Sequence, residues 1–164
     1  MTDGENRKYY GKYRGVVIDN SDPLELGRVQ VKVQDVLRDN ESGWAMPSVP
    51  YAGKNVGLFL IPPKDALVWV EFEGGDPDYP IWTGCFWASG DLPASPAVAE
   101  TKVLKTDAGT ITVSDKKGSG SITLEVSGLK IVIDTQKIKL SNSSQTIEIA
   151  SSSVKINDNA LEVQ

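Results

Sequence analysis

The stretch TIEIASSSVKINDNALEVQ, Thr146–Gln164, contains three short apolar alternations separated by Ser, Asn and Asp. Within each alternation one polar residue lies between two aliphatic ones, which is the two-residue period of a β-strand with one apolar face. The pairs are Ile147 with Ile149, Val154 with Ile156, and Leu161 with Val163. The stretch therefore predicts three very short strands that present their aliphatic side chains on the same side.

The same alternation extends upstream as an imperfect internal repeat. Its apolar groups are centred near residues 112, 124, 131, 139, 148, 155 and 162, with steps of seven to nine residues after the first. Ser, Thr, Asn, Asp, Lys and Gly occupy the positions between, where the chain turns. The repeat predicts one continuous apolar row, made of Ile111, Val113, Ile122, Leu124, Val126, Leu129, Ile131, Ile133, Ile138, Leu140, Ile147, Ile149, Val154, Ile156, Leu161 and Val163.

A ribbon of such strands has no second layer to cover its apolar row, and its strand edges need hydrogen-bond partners. Identical copies can bury the rows against one another around a shared axis, so we expect self-association into a β-prism. A flexible Ser/Asn-rich tail and part of an ordinary β-sandwich are the alternatives. The regular spacing disfavours a tail, and the absence of any aromatic residue from 103–164 disfavours a sandwich core.

All twelve Trp, Tyr and Phe residues lie before residue 88, and the Ala/Pro/Ser-rich segment ASGDLPASPAVAE follows them. This shift predicts an N-terminal arm (1–9), a first domain (10–88), a linker (89–102) and the repeat domain (103–164).

The first domain contains alternating apolar segments and no helical repeat. Turn signals such as DNSDPLELG and EGGDPDYP separate these segments. Five or six strands in about 80 residues predict a small closed barrel, either OB-like or SH3-like. The predicted strands are GVVID, GRVQVKV, GLFLI, ALVWVEFE and IWTGCFW.

The composition argues against several classes of site. The 164 residues include no His and one Cys, Cys85, which removes His-based catalysis and Cys-rich zinc sites. The net charge is −5, which disfavours nucleic acid and anionic lipid as partners. We therefore expect no enzyme activity, no cofactor and no metal site. The polar start of the chain lacks an apolar signal segment, so we expect assembly in the cytoplasm without a signal peptide.

Three local features have both a chemical and a structural interpretation. Asp76 and Asp78 in GGDPDYP resemble a carboxylate pair, but the Asp-Pro and Gly-Gly steps favour a turn. Cys85 has no nearby base and is expected to be a core thiol. Aromatic residues could form a base-stacking platform, as in OB barrels that bind single strands; the candidates are Trp44, Trp69 and Tyr79. The acidic balance of residues 1–88, nine Lys/Arg against thirteen Asp/Glu, disfavours that platform.

About 75 residues of the first domain resemble the OB-fold domain of contractile-tail central spikes. That family includes phage baseplate assembly protein V, the valine-glycine repeat protein of type VI secretion, and the spikes of extracellular contractile injection systems. The matching segments are DP…LGRVQV (Asp22–Val31), W…P…AG (Trp44–Gly53), IPP before V-x-V-x-F (Ile61–Phe72), and GGDPDYPIWTG (Gly74–Gly84). The motif residues are Asp22, Pro23, Gly27, Trp44, Gly53, Pro62, Gly75, Asp76, Pro77, Pro80 and Gly84. The repeat domain is similar to the spike's triple-stranded β-helix.

The resemblance implies an all-β chain in which an OB-fold barrel precedes an intertwined, triple-stranded, trimeric β-helix. It further implies a homotrimeric, non-enzymatic central spike of a phage virion or contractile injection particle, which punctures the target envelope mechanically and binds no nucleic acid. Hub and baseplate proteins would bind on the tube side, and a PAAR-type tip protein would bind at Leu161, Val163 and Gln164. The alternative is an OB module that binds an oligonucleotide or glycan and is trimerised by its β-rich tail.

Overall fold

A computed structural model describes residues 7–158 and 160–163. The chain divides between Gly90 and Asp91 into two compact units, called here the barrel unit and the sheet unit. Strands dominate both units, so the expectation of an all-β chain is confirmed.

The barrel unit is built on a five-stranded sheet in the order β2-β1-β6-β7-β3. Its β3–β7 pair is parallel and the other pairs are antiparallel, while β4 and β5 form a separate small hairpin. A single helical turn, α1 (Gln34–Leu37), follows β2, and a 3-10 turn spans Glu73–Gly75. The strands are β1 (Tyr13–Asp19), β2 (Gln30–Lys32), β3 (Met46–Pro47), β4 (Ala52–Gly53), β5 (Val56–Gly57), β6 (Leu67–Phe72) and β7 (Pro80–Phe86).

The two outer strands of this sheet are joined by an isolated bridge between Val29 and Ala45. The Val29 amide donates to the Ala45 carbonyl at 3.2 Å, and the Ala45 amide donates back at 2.8 Å. Since Val29 precedes β2 and Ala45 precedes β3, the bridge brings the first and last strands of the order together. The sheet therefore closes as the predicted small barrel.

The barrel interior is filled by the inward-facing residues of alternating strands. Along β6, Val68, Val70 and Phe72 are buried while the residues between them are only half-buried, which confirms the predicted two-residue period. Val29, Val31 and Val33 are fully buried on the neighbouring segment, also as predicted. The remaining core residues are Val17, Ala45 and Trp82.

The GLFLI segment does not form the predicted strand. Only Gly57 belongs to β5, and Leu58–Leu60 runs outside any strand with its side chains exposed. The Leu58 amide bonds to Tyr51 at 2.9 Å, and the segment then reaches Pro62-Pro63, which has no amide to offer a neighbouring strand. The turn α1 was also not anticipated, because four residues are too short to show a helical period.

Cys85 is exposed, so the expectation of a core thiol is wrong. It follows a β-bulge in which Thr83 and Gly84 oppose the single residue Trp69, with Gly84 at φ +131°. Cys85 then lies one residue from the end of β7, and the core does not extend to it.

The sheet unit is one antiparallel sheet of eight strands that pair in chain order. Strand β8 begins at Thr101, two residues before the predicted start of the repeat domain. The strands are β8 (Thr101–Lys105), β9 (Thr110–Ser114), β10 (Ser121–Val126), β11 (Leu129–Asp134), β12 (Lys137–Ser141), β13 (Thr146–Ala150), β14 (Val154–Ile156) and β15 (Leu161–Val163).

Short turns determine how these strands align. Ser127 and Gly128 both have positive φ, the two-residue turn that suits strand twist. In the β12–β13 turn the Asn142 carboxamide oxygen accepts the amides of Ser144 and Gln145 at 2.9 and 2.7 Å. Backbone conformation in the first turn and side-chain hydrogen bonds in the second therefore hold the adjacent strands in one alignment.

The strand pairing differs from the expectation that strand edges in the repeat domain need partners from other copies. Each strand from β9 to β14 is hydrogen-bonded on both sides to strands of the same chain, and the turns form the long sides of the sheet. Among the eight strands described, the outer edges of β8 and β15 alone lack a partner strand. Apart from those two outer edges, this sheet offers other molecules a side-chain face rather than unpaired backbone.

Candidate functional site: the apolar face of the sheet unit

Register places the aliphatic side chains of the sheet unit in two parallel columns on one face. Cross-strand pairs are Ile122 with Ile133 and Leu124 with Ile131, and the same pairing continues along the sheet. The Val/Ile column contains Val113, Ile122, Ile133, Ile138, Ile149, Val154 and Val163. The Leu/Ile column contains Leu104, Ile111, Leu124, Ile131, Leu140, Ile147, Ile156 and Leu161.

The sixteen residues predicted for the apolar row all lie on this face. Fourteen of them are in the columns, and Val126 and Leu129 form a further cross-strand pair beside the Leu/Ile column. Leu104 was missed, because its strand β8 begins inside the segment assigned to the linker. The alternation Lys102, Leu104 in TKVLKT is the signal that could have found it.

The face is open to solvent in one chain. Exposed fractions of the column side chains run from 37% at Ile156 to 59% at Val163, with Val113 better covered. Eight strands spaced about 4.8 Å apart make a patch roughly 34 Å long. Monomeric soluble proteins rarely expose a contiguous apolar surface of that extent, so the patch marks an interaction site.

The opposite face of the same sheet is polar and carries ion pairs. Lys137 Nζ lies 2.9 Å from Glu148 Oε2, and Lys130 Nζ lies 3.1 Å from Glu125 Oε2. The hydrogen bond from Lys137 lowers the pKa of Glu148, and the charges of Lys139 and Lys155 add to that effect. Charged side chains at these positions favour contact with water, so the apolar face is the candidate surface for association.

A groove of about 680 Å³ runs along the apolar face. Its floor is the Leu/Ile column from Leu124 to Ile156, and the Val126/Leu129 pair and turn residues also line it. The turn residues are Asn142, Gln145 and Asn157, and the strand ends Ser141 and Thr146 lie beside them. No member of the Val/Ile column lines this groove, so the groove lies over one column and beside the other.

The positions predicted to bind a tip protein are at the end of the sheet. Leu161 and Val163 lie in β15 with exposed fractions of 53% and 59%. Gln164 lies outside the described residues. The outer edge of β15 adds unpaired backbone groups to this end.

In the barrel unit, the motif residue Asp22 holds the β1–β2 loop together. Its carboxylate accepts hydrogen bonds from the backbone amides of Leu24, Leu26 and Arg28 at 2.8 to 3.2 Å. It also accepts a hydrogen bond from Arg28 Nη2 at 2.6 Å. The Arg28 guanidinium in turn lies 5.7 Å from the centre of the Trp44 ring. Hydrogen bonds from Arg28 hold the pKa of Asp22 well below its ordinary value. These contacts stabilise a loop, and they leave the carboxylate no free capacity for chemistry.

Gly27 and Pro62 support the same loop. Gly27 has φ +75°, its carbonyl accepts the Trp82 indole N–H at 3.2 Å, and a Cβ at this position would lie 3.0 Å from Ile61. Pro62 is buried, and its carbonyl accepts the Asn20 side chain at 3.2 Å. Two further motif residues are exposed: Pro23 in the loop and Gly53 in β4.

The remaining motif residues form the β6–β7 connection. Asp76 Oδ1 accepts the Asp78 amide at 3.1 Å, which is the turn role expected of it. Gly75 is buried against Tyr10 at φ +75°, Pro77 is half-buried in the turn and Pro80 is buried at the start of β7. Gly84 occupies the bulge in β7.

The end of the predicted N-terminal arm packs on this connection. The Tyr9 amide donates to the Gly75 carbonyl at 2.8 Å, and its ring lies 6.3 Å from those of Tyr13 and Phe72. Residues 1–6 of the arm lie outside the described residues.

The aromatic residues considered as a stacking platform have different neighbours. Trp44 packs against Arg28, while Trp69 lies 4.7 Å from Phe86 and 5.6 Å from Arg14. Tyr79 is exposed, and no ring contact among residues 7–158 and 160–163 joins the three.

Two kinds of feature are absent from the described residues. They contain no group of three or more Asp, Glu or Cys side chains placed to hold a metal ion. They also include no helix with the length and hydropathy needed to cross a bilayer.

Two family models match the chain in the order of its two units. Residues 13–87 match the type VI secretion system/phage-baseplate injector OB domain. Residues 101–162 match the phage baseplate V C-terminal trimerisation domain, which contains the apolar face described above.

Curated relatives include three type VI secretion system spike proteins of Pseudomonas aeruginosa. VgrG1c is 36% identical over 110 residues, and VgrG1a and VgrG1b are each 34% identical over 110 residues. The matches cover 58% of this chain but only 15% to 17% of the relatives, so the chain corresponds to a small part of their length. The predicted order of an OB domain followed by a trimerisation domain is confirmed, and the chain belongs to the baseplate V family of injector proteins found in phage baseplates and type VI secretion systems.

Proposed function

We propose that this protein is the structural central spike of a contractile injection machine or phage baseplate and works as a homotrimer. The observation that carries the proposal is the uncovered apolar face of the sheet unit, since a side-chain face of this length needs a cover. Membership of the baseplate V family and the likeness to spike proteins support the same role.

Three sheets facing a common axis would bury all their columns at once. Full burial of an aliphatic side chain contributes about 1.5–3 kcal/mol, and each of these side chains is already roughly half covered. Burial of the remaining half contributes on the order of 1 kcal/mol per side chain. The charged face of each sheet would then point outward to water.

The proposed mechanism is mechanical and includes no catalytic step. Backbone hydrogen bonds run from strand to strand along the length of each sheet, so a load along that direction passes through every ladder and is divided among the hydrogen bonds within each one. Association through the apolar columns would prevent single strands from peeling away. Such a shaft resists bending and local unfolding, and it can transmit the force of contraction to the target envelope.

The partners follow from the same role. Tube-side hub and baseplate proteins would bind the barrel unit, and a PAAR-type tip protein would cap the end of the shaft at Leu161, Val163 and Gln164. The spike would be assembled in the cytoplasm and incorporated into the phage virion or injection particle.

Light scattering over a hundredfold dilution, followed by limited proteolysis, tests the proposal. We expect three times the chain mass of 17.7 kDa and slow cleavage of residues 103–164. A monomer whose repeat segment is digested quickly would exclude a spike. A stable trimer that binds oligonucleotides or glycans tightly would instead favour the ligand-binding module.

For the tip, Val163→Asp should abolish capture of a PAAR-type protein. Because Val163 also ends the Val/Ile column, light scattering of the variant must first establish that the other column residues still hold the trimer. Capture by the variant at the level of the parent protein would remove this partner from the proposal.

A further inference from the structure

The two columns of the apolar face differ in their side chains and in their position relative to the groove, and this difference suggests how copies meet. The Leu/Ile column from Leu124 to Ile156 is the floor of a groove, walled on one side by turn residues such as Asn142 and Asn157. The Val/Ile column lies on the same face, outside that groove. The groove therefore occupies the half of the face that holds the Leu/Ile column, and the Val/Ile column lies beside it.

The Val/Ile column is a regular row of branched side chains, called here the ridge. From Val113 to Val163 its members are all Val or Ile, and branching at Cβ restricts their χ1 angles. Strand spacing sets them about 4.8 Å apart in a row that runs parallel to the groove. The side chains in this row are compact, stiff and evenly spaced, which suits insertion into an apolar groove that runs in the same direction.

We propose that the Val/Ile column of one copy inserts into the groove floored by the Leu/Ile column of the next copy. This inference rests on the proposed homotrimer and specifies its interface. Each chain then gives its ridge to one neighbour and its groove to the other. A contact between unlike surfaces forms a ring when the rotation closes, and the trimerisation-domain match indicates closure at three copies.

Pairing of unlike columns is also compatible with two sheets stacked face to face, which would form a dimer. The two arrangements differ in their covalent products when one cysteine is placed in each column. A ring joins three chains through three disulfides, whereas a stacked pair joins two chains through two.

The test uses the full chain with Cys85→Ser, because the exposed Cys85 would cross-link by itself. Ile138→Cys in the ridge is combined, in five double variants, with a cysteine at each floor position of the groove in turn. The five floor positions sample any axial offset between neighbouring copies, and they are Leu124, Ile131, Leu140, Ile147 and Ile156. Each variant is oxidised mildly at low concentration, and its products are separated on a non-reducing gel.

We expect at least one double variant to convert mostly to covalent trimer, while Ile138→Cys and Leu140→Cys alone stay predominantly uncross-linked. A matched control, Thr123→Cys with Lys139→Cys on the polar face, should form no covalent trimer. The reduced form of each variant is weighed by light scattering to establish that it still assembles.

The outcomes separate this interface from the proposed function. Covalent dimers from a single ridge cysteine would show that ridge meets ridge and would overturn the pairing. A non-covalent trimer without covalent trimer from any of the five double variants would also overturn it and would leave the spike intact. A parent protein that weighs as a monomer or a dimer would overturn the trimeric spike itself.

Discussion

At the scale of single residues, polar side chains in the barrel unit act on the backbone rather than on a substrate. Asp22 is the clearest case, because one carboxylate accepts three loop amides and the Arg28 guanidinium. Asp76 does the same for one turn amide. Sequence alone anticipated both loops from their Asp-Pro steps, but the partner of Asp22 could be found only from the fold of the loop.

The Asp22 pair predicts a specific pH dependence. Its folded-state pKa lies below the ordinary value of 3.8, so the folded state binds fewer protons and gains stability that is complete above about pH 4 and is lost on acidification below it. Asp22→Asn should lower the unfolding midpoint at pH 7, and the difference from the parent should shrink as the pH falls from 5 to 2. Denaturant titrations followed by Trp fluorescence measure this.

The exposed Asp39→Asn variant is the control for loss of a surface charge and should unfold like the parent at pH 7. A midpoint difference for Asp22→Asn that stays constant from pH 7 to pH 2 would contradict the linkage.

Gly15 in β1 predicts a packing effect inside the barrel. A Cβ at this position would lie 2.8 Å from Val70 Cγ2, and Val70 is fully buried. Gly15→Ala should therefore reduce the free energy of unfolding of the barrel unit by about 1–3 kcal/mol. Gly43→Ala, where the nearest atom would be 4.0 Å away, should change it by less than about 0.5 kcal/mol. Equal effects of the two substitutions would disprove the packing argument.

At the scale of elements, the eight strands of the sheet unit owe their pairing to turns and their association surface to alternation. Residues one apart point to opposite faces, so Ile138 belongs to the apolar columns while Lys139 belongs to the polar face. Substitutions at these two neighbouring positions give the simplest test of whether the apolar face is the interface between copies.

Ile138→Ser should weaken self-association, and Lys139→Ser should not. The serine removes an aliphatic group from each copy, which costs about 1 kcal/mol per chain and about three times that per trimer. Sedimentation across a concentration series measures the shift of the dissociation midpoint. If Lys139→Ser dissociated as readily as Ile138→Ser, the apolar face would not be the interface.

At the scale of the whole molecule, the two units obtain their stability differently. The barrel unit has a core of fully buried side chains within one chain, including Val17, Val31 and Val70. The sheet unit has complete strand pairing from β9 to β14 and an uncovered apolar face. We infer that the first unit folds alone and that the second depends on other copies.

This difference predicts two unfolding transitions with different responses to protein concentration. Every Trp lies before residue 88, so Trp fluorescence reports the barrel unit, while far-ultraviolet circular dichroism reports both units. The fluorescence midpoint in guanidinium should be independent of concentration. The remaining circular-dichroism transition should move to higher denaturant as the concentration rises. Coincident transitions that ignore concentration would mean that the sheet unit is stable without partners.

Much of the candidate site was predictable because alternation is a local property of a strand. The sixteen aliphatic positions were assigned to one face from spacing alone, and the structure places them there. Leu104 was missed since its strand starts within the Ala/Pro/Ser-rich segment. The GLFLI segment shows the opposite error, because a strand was predicted there and none formed. Its residues have high β propensity, but the fold places no strand beside them to pair with.

By itself the sequence determined that the chain has two β-rich parts, an aromatic one able to form a core and an aliphatic one whose short strands have a single apolar face. Composition and two-residue periodicity act within each segment, so no knowledge of distant contacts was needed. Tertiary structure alone decided which strands pair, that Ile138 stands opposite Ile149, that a bulge precedes an exposed Cys85, and that one apolar column floors a groove while the other does not. Those features depend on turn geometry and on hydrogen bonds between separate segments, which residue identity along a strand does not specify.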